Sequence, residues 1–131
     1  MEIDHIAIAV SSMDAALATF RTLVGLEPER TETSDSDKVT EARLPVGSTP
    51  LQLLEPTDEE STVARFIERR GEGLHHIAIR VPDIEAALDR LKRAGAELID
   101  AEPRRGGGGH RVAFVHPKTT HGILIELVEG A

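Results

Sequence analysis

Asp4-His5-Ile6-Ala7-Ile8-Ala9-Val10 returns as His75-His76-Ile77-Ala78-Ile79-Arg80-Val81, with His76 lying 71 residues after His5. The self-similarity extends outward from these two stretches. Ser12-Met13-Asp14-Ala15-Ala16-Leu17 is answered by Asp83-Ile84-Glu85-Ala86-Ala87-Leu88, each opening on a polar residue suited to capping a helix. Met13, Leu17, Phe20 and Val24 in the first, and Ile84, Ala87, Leu88 and Leu91 in the second, recur at helical spacing, and a glycine follows each, Gly25 or Gly95. Residues 39–45 align with 111–117, and 51–55 with 125–129. The chain therefore reads as two copies of a β-α-β-β-β unit. Residues 57–70 begin with acids and continue Val63, Phe66, Ile67 at helical spacing, predicting a connecting helix that ends at Gly71. Each copy is too small to close a core alone, so the expectation is one domain over 1–131: module one over about 1–56, connecting helix about 57–71, module two about 72–131.

Period-2 alternation decides which side chains share a face. Ile6, Ile8 and Val10 oppose His5, Ala7 and Ala9; Ile77, Ile79 and Val81 oppose His76, Ala78 and Arg80. The bulky aliphatics are expected under the helices. The other face carries one histidine followed by small residues, as a strand lining a cavity would. In the last strand Ile123, Ile125 and Leu127 take the packed face, leaving Leu124, Glu126 and Val128 on the other, with Gln52 at the corresponding place in copy one. A pseudo-twofold between the copies would bring His5 and His76 to Gln52 and Glu126 in one concave sheet. Two imidazoles, an amide oxygen and a carboxylate suit a divalent ion such as Mn²⁺, Co²⁺, Ni²⁺ or Zn²⁺. His75 points away from His76 by parity, and Glu129 reads as a solvated edge carboxylate.

Composition narrows the classes further. The 131 residues are 40% hydrophobic and 29% charged, which is globular usage, and the net charge is −8. The absence of cysteine excludes disulfides, thiolate chemistry and cysteine zinc sites. An acidic chain with only three phenylalanines and no other aromatic is poorly suited to nucleic acid. No apolar run approaches the roughly 20 residues of a membrane span, and the acidic start is unlike a signal peptide, so a soluble, cytoplasmic protein is expected.

Over its whole length the sequence resembles methylmalonyl-CoA epimerase, a family of the vicinal oxygen chelate superfamily that also contains glyoxalase I and extradiol dioxygenases. The resemblance is carried by Asp4 through Val10, Leu44-Pro45-Val46-Gly47, Gln52-Leu53-Leu54-Glu55-Pro56, Gly71-Glu72-Gly73-Leu74-His75-His76-Ile77-Ala78, Glu102-Pro103-Arg104, His116-Pro117-Lys118 and Gly122 through Leu127. It implies an α+β fold of paired βαβββ modules forming a cup-shaped, eight-stranded mixed sheet, in a homodimer. It implies that His5, Gln52, His76 and Glu126 bind a divalent metal, Co²⁺ or Mn²⁺ ahead of Ni²⁺ or Zn²⁺, and that an acyl-CoA of propionate metabolism is the substrate.

Epimerising methylmalonyl-CoA means removing the C2 hydrogen between a thioester and a carboxylate and returning a proton to the opposite side. That asks for a base on each face of the planar carbon. By family position the two are Glu41 and Glu126. Glu41 is aligned with Ala113 in copy two, so the repeat does not account for it; the plainer alternative is a surface acid paired with Lys38 or Arg43. CoA phosphates call for a local basic patch, and Arg104, Arg105, Arg111 and Lys118 bracket the run Gly106-Gly107-Gly108-Gly109. Lys118 and Thr119 are alternatively holders of the substrate carboxylate. Three rival functions share the fold: a glyoxalase I-type isomerase of a glutathione hemithioacetal, a dioxygenase with a two-histidine, one-carboxylate iron site, and a small-molecule-binding protein without turnover.

Overall fold

The computed structural model describes residues 1–130. Its elements are β1 (Glu2–Ala9), α1 (Met13–Val24), β2 (Arg30–Ser34), β3 (Val39–Leu44), β4 (Leu51–Pro56), α2 (Thr62–Arg70), β5 (Gly73–Val81), α3 (Ile84–Arg93), β6 (Arg104–Arg105), β7 (Arg111–Val115) and β8 (Ile125–Glu129). Two compact units result: His5–His75, and Met1–Asp4 together with the residues from His76 onward. The β-α-β-β-β order occurs twice, with α2 between the copies, and the class is α+β with mixed strand pairing.

In the unit His5–His75 the strand order is β2-β3-β4-β1. Strands β2, β3 and β4 pair antiparallel, and β1 runs parallel to β4. The expected aliphatic face packs under α1: Val10, Met13, Ala42, Leu44 and Leu53 are buried together, with Ile8, Leu17 and Phe20 against them. Helix α1 starts where the Ser12 hydroxyl accepts the Ala15 N–H at 3.2 Å, and the Glu55 carboxylate at the end of β4 accepts the Met13 N–H at 2.8 Å. It stops at Gly25, whose φ of 67° lets the Leu26 N–H reach back to the Phe20 carbonyl.

The opposite face departs from expectation. Ala7 and Ala9 are fully buried, packed with Val39, Leu54 and Val63 and flanked by Phe66 and Ile67. Helix α2 therefore covers the end of this face that the small residues leave open. It also begins later than the 57–70 periodicity predicts. The Asp58 side chain takes the Glu60 N–H at 2.7 Å in a local turn, and the Ser61 hydroxyl caps the helix through the Val63 N–H.

In the other unit the order is β5-β8-β7-β6, with β5 parallel to β8 and the remaining pairs antiparallel. Val81, Ile84, Leu88, Ala113, Val115 and Leu127 form its principal core under α3. Leu88 is 1% exposed there. Leu88→Ala removes buried methyl groups and leaves a cavity, so it is expected to cost about 2–5 kcal/mol in denaturant unfolding; a loss below about 1 kcal/mol contradicts this packing.

Glu129 is not the solvated carboxylate expected from its edge position. Its oxygens accept from Arg111 Nε at 2.9 Å and Nη2 at 3.0 Å, and from the Ile84 N–H at 3.1 Å, capping α3 as Glu55 caps α1. The Arg111 guanidinium, and after it the Ile84 N–H, hold the Glu129 carboxyl below the usual carboxylate range. A lowered folded-state pKa stabilises the fold fully above the unfolded-state value, and that contribution is lost as pH falls through the lowered one. Glu129→Gln is therefore expected to flatten the decline of the thermal midpoint below the ordinary carboxylate range; an unchanged acid limb contradicts the assignment.

The β-registers also correct the alignment of the repeats. Arg43 lies across from Gln52, and Phe114 across from Glu126, so β3 matches β7 one residue earlier than 39–45 against 111–117. Ala42 and Ala113, both fully buried, are the true counterparts. Glu41 is thus matched by Val112, not Ala113.

Candidate metal and acid-base site

Residues paired across neighbouring strands project to the same side of a sheet. In the unit His5–His75, Ala7 pairs with Gln52, Ala9 with Leu54, Leu54 with Glu41 and Gln52 with Arg43. His5, two residues before Ala7, shares this face and is 6% exposed. Glu41 and Gln52 line one shallow pocket with Arg30, Glu32 and Arg43. Lys38 is engaged by Glu60 at 2.7 Å and Asp58 at 3.7 Å, and Arg43 by Glu29 at 3.4 Å. His75 packs edge-on against Phe66, with ring centroids 4.9 Å apart.

The other unit repeats the pattern. Ala78 pairs with Glu126 as Ala7 pairs with Gln52, and His76 stands two residues before Ala78. His76 Nε2 lies 3.2 Å from Glu126 Oε1, with both side chains buried. Phe114, directly across from Glu126, presents its ring perpendicular to that of His76 at a centroid distance of 5.5 Å. Val112, Val128 and Ala78 complete an apolar floor. A carboxylate in such surroundings requires a compensating positive charge or strong hydrogen bonds.

The buried polar inventory fits a metal. Among the described residues the buried polar side chains are His5, Ser61, His76 and Glu126. Ser61 is accounted for as the cap of α2. The other three each offer an imidazole nitrogen or a carboxylate oxygen, and Gln52 adds an amide oxygen at the position matching Glu126. Neutral nitrogen and anionic oxygen donors of this kind suit a borderline divalent ion.

The expected substrate-binding residues separate. Arg104 joins the Phe114 face: its guanidinium stands 5.4 Å from the Phe114 ring centroid and its Nε 3.5 Å from Asp100. Arg111 projects from the helix-bearing face of β7, where Glu129 and Glu85 engage it. Lys118 is exposed on the turn after β7, whereas the Thr119 hydroxyl donates to the Glu97 carbonyl and accepts the Glu97 N–H, both at 2.9 Å. In the glycine run, a Cβ on Gly106 would meet Val112 methyls at 2.8 Å, so glycine there is required by packing. Phe114 was not marked by the sequence, because its place beside His76 follows only from the β7–β8 register.

The model of the Glyoxalase/Bleomycin resistance protein/Dioxygenase superfamily matches residues 4–114. Ethylmalonyl-CoA/methylmalonyl-CoA epimerase from Cereibacter sphaeroides is 40% identical over 127 residues, 95% of each chain. A solved methylmalonyl-CoA epimerase in complex with methylmalonyl-CoA and NH₄⁺ superposes with a TM-score of 0.91 at 41% identity, over 99% of this chain and 94% of that one. A variant of the Streptomyces coelicolor methylmalonyl-CoA epimerase, in complex with 2-nitronate-propionyl-CoA, gives 0.92 at 41% identity over 100% and 95%. By the superfamily model and by these relatives, the chain belongs to the glyoxalase, bleomycin resistance protein and dioxygenase superfamily and, within it, to the methylmalonyl-CoA epimerases.

Proposed function

We propose that this protein interconverts the (2R) and (2S) epimers of methylmalonyl-CoA by proton transfer at C2, with Glu41 and Glu126 as the two acid-base groups. The observation that carries this is the asymmetry between matched β-strands. Copy one places a carboxylate, Glu41, where copy two has Val112, and copy two places a carboxylate, Glu126, where copy one has the amide Gln52. Each copy thus carries on its histidine-bearing face a carboxylate whose counterpart in the other copy is not one.

His5, Gln52, His76 and Glu126 are the residues that would hold a divalent ion, and such an ion supplies a Lewis-acid charge for the negative charge that develops on the thioester oxygen. One carboxylate, ionised, accepts the C2 proton of the bound epimer. The other, protonated, delivers a proton to the opposite side of the planar carbon. Both then return to their starting states by exchange with solvent or by the reverse reaction, so protons balance. His76, 3.2 Å from Glu126 and held by the Phe114 ring, fixes the orientation of that carboxylate. The apolar floor of Ala78, Val112 and Val128 excludes water from the proton in transit.

An acyl-CoA is the expected partner, with Arg104 and Lys118 facing its acidic groups. Arg111 is left outside this set, because Glu129 occupies it. A homodimer acting in the cytoplasm in propionate metabolism is supported by family resemblance alone; among the described residues no helix is long and apolar enough to cross a membrane. The test is to supply one epimer to the protein loaded with Co²⁺ or Mn²⁺ and follow the epimer ratio. Interconversion to an even mixture, stopped by chelator and restored by metal, is expected. Failure with each of Co²⁺, Mn²⁺, Ni²⁺ and Zn²⁺ overturns the proposal.

A further inference from the structure

His116-Pro117-Lys118 is a motif that the proton-transfer chemistry leaves without a role, and its surroundings are unusually well specified. The His116 Nδ1 accepts the Lys118 N–H at 3.0 Å, so the proton of a neutral ring sits on Nε2, which lies 3.4 Å from the Glu97 carboxylate. The main chain of Glu97 binds the same turn. Its carbonyl accepts the His116 N–H at 3.2 Å and the Thr119 hydroxyl at 2.9 Å, and its N–H donates to that hydroxyl. Thr119 is thereby committed to Glu97 through both its donor and one acceptor lone pair. Beyond it the turn closes through the Gly122 N–H to the Pro117 carbonyl at 2.7 Å, with His121 and Gly122 both at positive φ, 60° and 92°. Glycine takes positive φ freely, but a histidine there is disfavoured and persists where surrounding contacts determine it. The side chains of His116 and Glu97 remain 35% and 55% exposed, so this is a clamp at the surface and not part of the core.

We propose that Glu97 and His116 are positioning residues for substrate binding: they lock the 116–119 turn so that Lys118 presents its ammonium to an acidic group of the acyl-CoA. This rests on the assignment of Lys118 to the substrate. The ring acts through its two nitrogens separately, Nδ1 accepting from the Lys118 backbone and Nε2 turned toward the Glu97 carboxylate 3.4 Å away. Thr119 serves the clamp and not the substrate.

The experiment measures kcat, KM and thermal midpoint for the metal-loaded full chain carrying His116→Phe, His116→Asn, Glu97→Gln or Lys118→Ala, alongside ¹⁵N chemical shifts of His116 in the parent protein. His116→Phe, which removes both nitrogens, is expected to raise KM about fivefold to tenfold, the loss typical of one or two hydrogen bonds, with kcat changed less than about twofold. His116→Asn keeps an acceptor at the Nδ1 position and is expected to restore most of the KM. The ¹⁵N shifts are expected to report protonation on Nε2. An unchanged KM in His116→Phe, no rescue by asparagine, or an Nδ1-protonated ring overturns the clamp. A parallel fall of kcat and thermal midpoint also overturns it, since that is the signature of a structural role. Lys118→Ala separates the two layers: a KM unchanged there overturns the substrate role of Lys118 itself, whereas a raised KM there with an unchanged KM in His116→Phe overturns the clamp alone.

Discussion

Glu126→Gln is expected to lower kcat for epimerisation by about a thousandfold or more, because it removes one of the two carboxylates proposed to exchange protons with C2. The substitution is nearly isosteric, and the buried site retains His76, Phe114 and the apolar floor, so the folded structure is expected to survive. It also replaces an anionic donor by a neutral one beside His76, so metal content by elemental analysis is expected to fall with activity. The two losses are separable by raising the metal concentration: occupancy recovers and turnover does not. A variant that keeps more than about a tenth of the parent kcat at full occupancy excludes Glu126 as a proton-transfer group.

Glu41→Gln carries the second large effect, and its pattern differs. Glu41 lies on the His5 and Gln52 face but outside the expected ligand set, so metal content is expected to be unchanged. Inversion is expected to fall by about a hundredfold to ten-thousandfold. Solvent exchange at C2 of the epimer whose hydrogen faces Glu126 should continue, because that proton can leave and return on one side. Normal turnover in this variant contradicts the two-base assignment.

Much of the architecture is legible in the sequence because the repeat doubles every local signal. Ser12 and Asp83 cap their helices as the polar positions imply, through the N–H groups of Ala15 and Ala86. Parity alone places His5 with Gln52 and His76 with Glu126, since a parallel pairing of the first and last strand of each copy fixes which residues share a face. Two of the departures arise where period-2 logic has no tolerance. A slip of one residue in aligning 39–45 with 111–117 moves a side chain to the opposite face, and it matched Glu41 to Ala113, which packs under α3, in place of Val112. Arg111 illustrates the same sensitivity: its neighbours in sequence suggest a phosphate patch, but its parity sends it to Glu129. Helix α2 starts at residue 62 and not near 57, because Asp58 and Ser61 satisfy backbone N–H groups locally in a turn and a cap. Phe114 and the Glu97–His116 contact depend on packing between segments distant in sequence, which no local pattern encodes.

Two-sided proton transfer is tested most directly by following one epimer of methylmalonyl-CoA in D₂O with the metal-loaded protein, reading deuterium at C2 separately in the remaining substrate and in the product from the earliest conversion. If Glu41 and Glu126 act from opposite sides of C2, as proposed, the product carries solvent deuterium from the first turnover while the unreacted epimer stays largely protiated. Product that retains the original hydrogen, or substrate and product that become labelled at equal rates from the start, contradicts the two-base account.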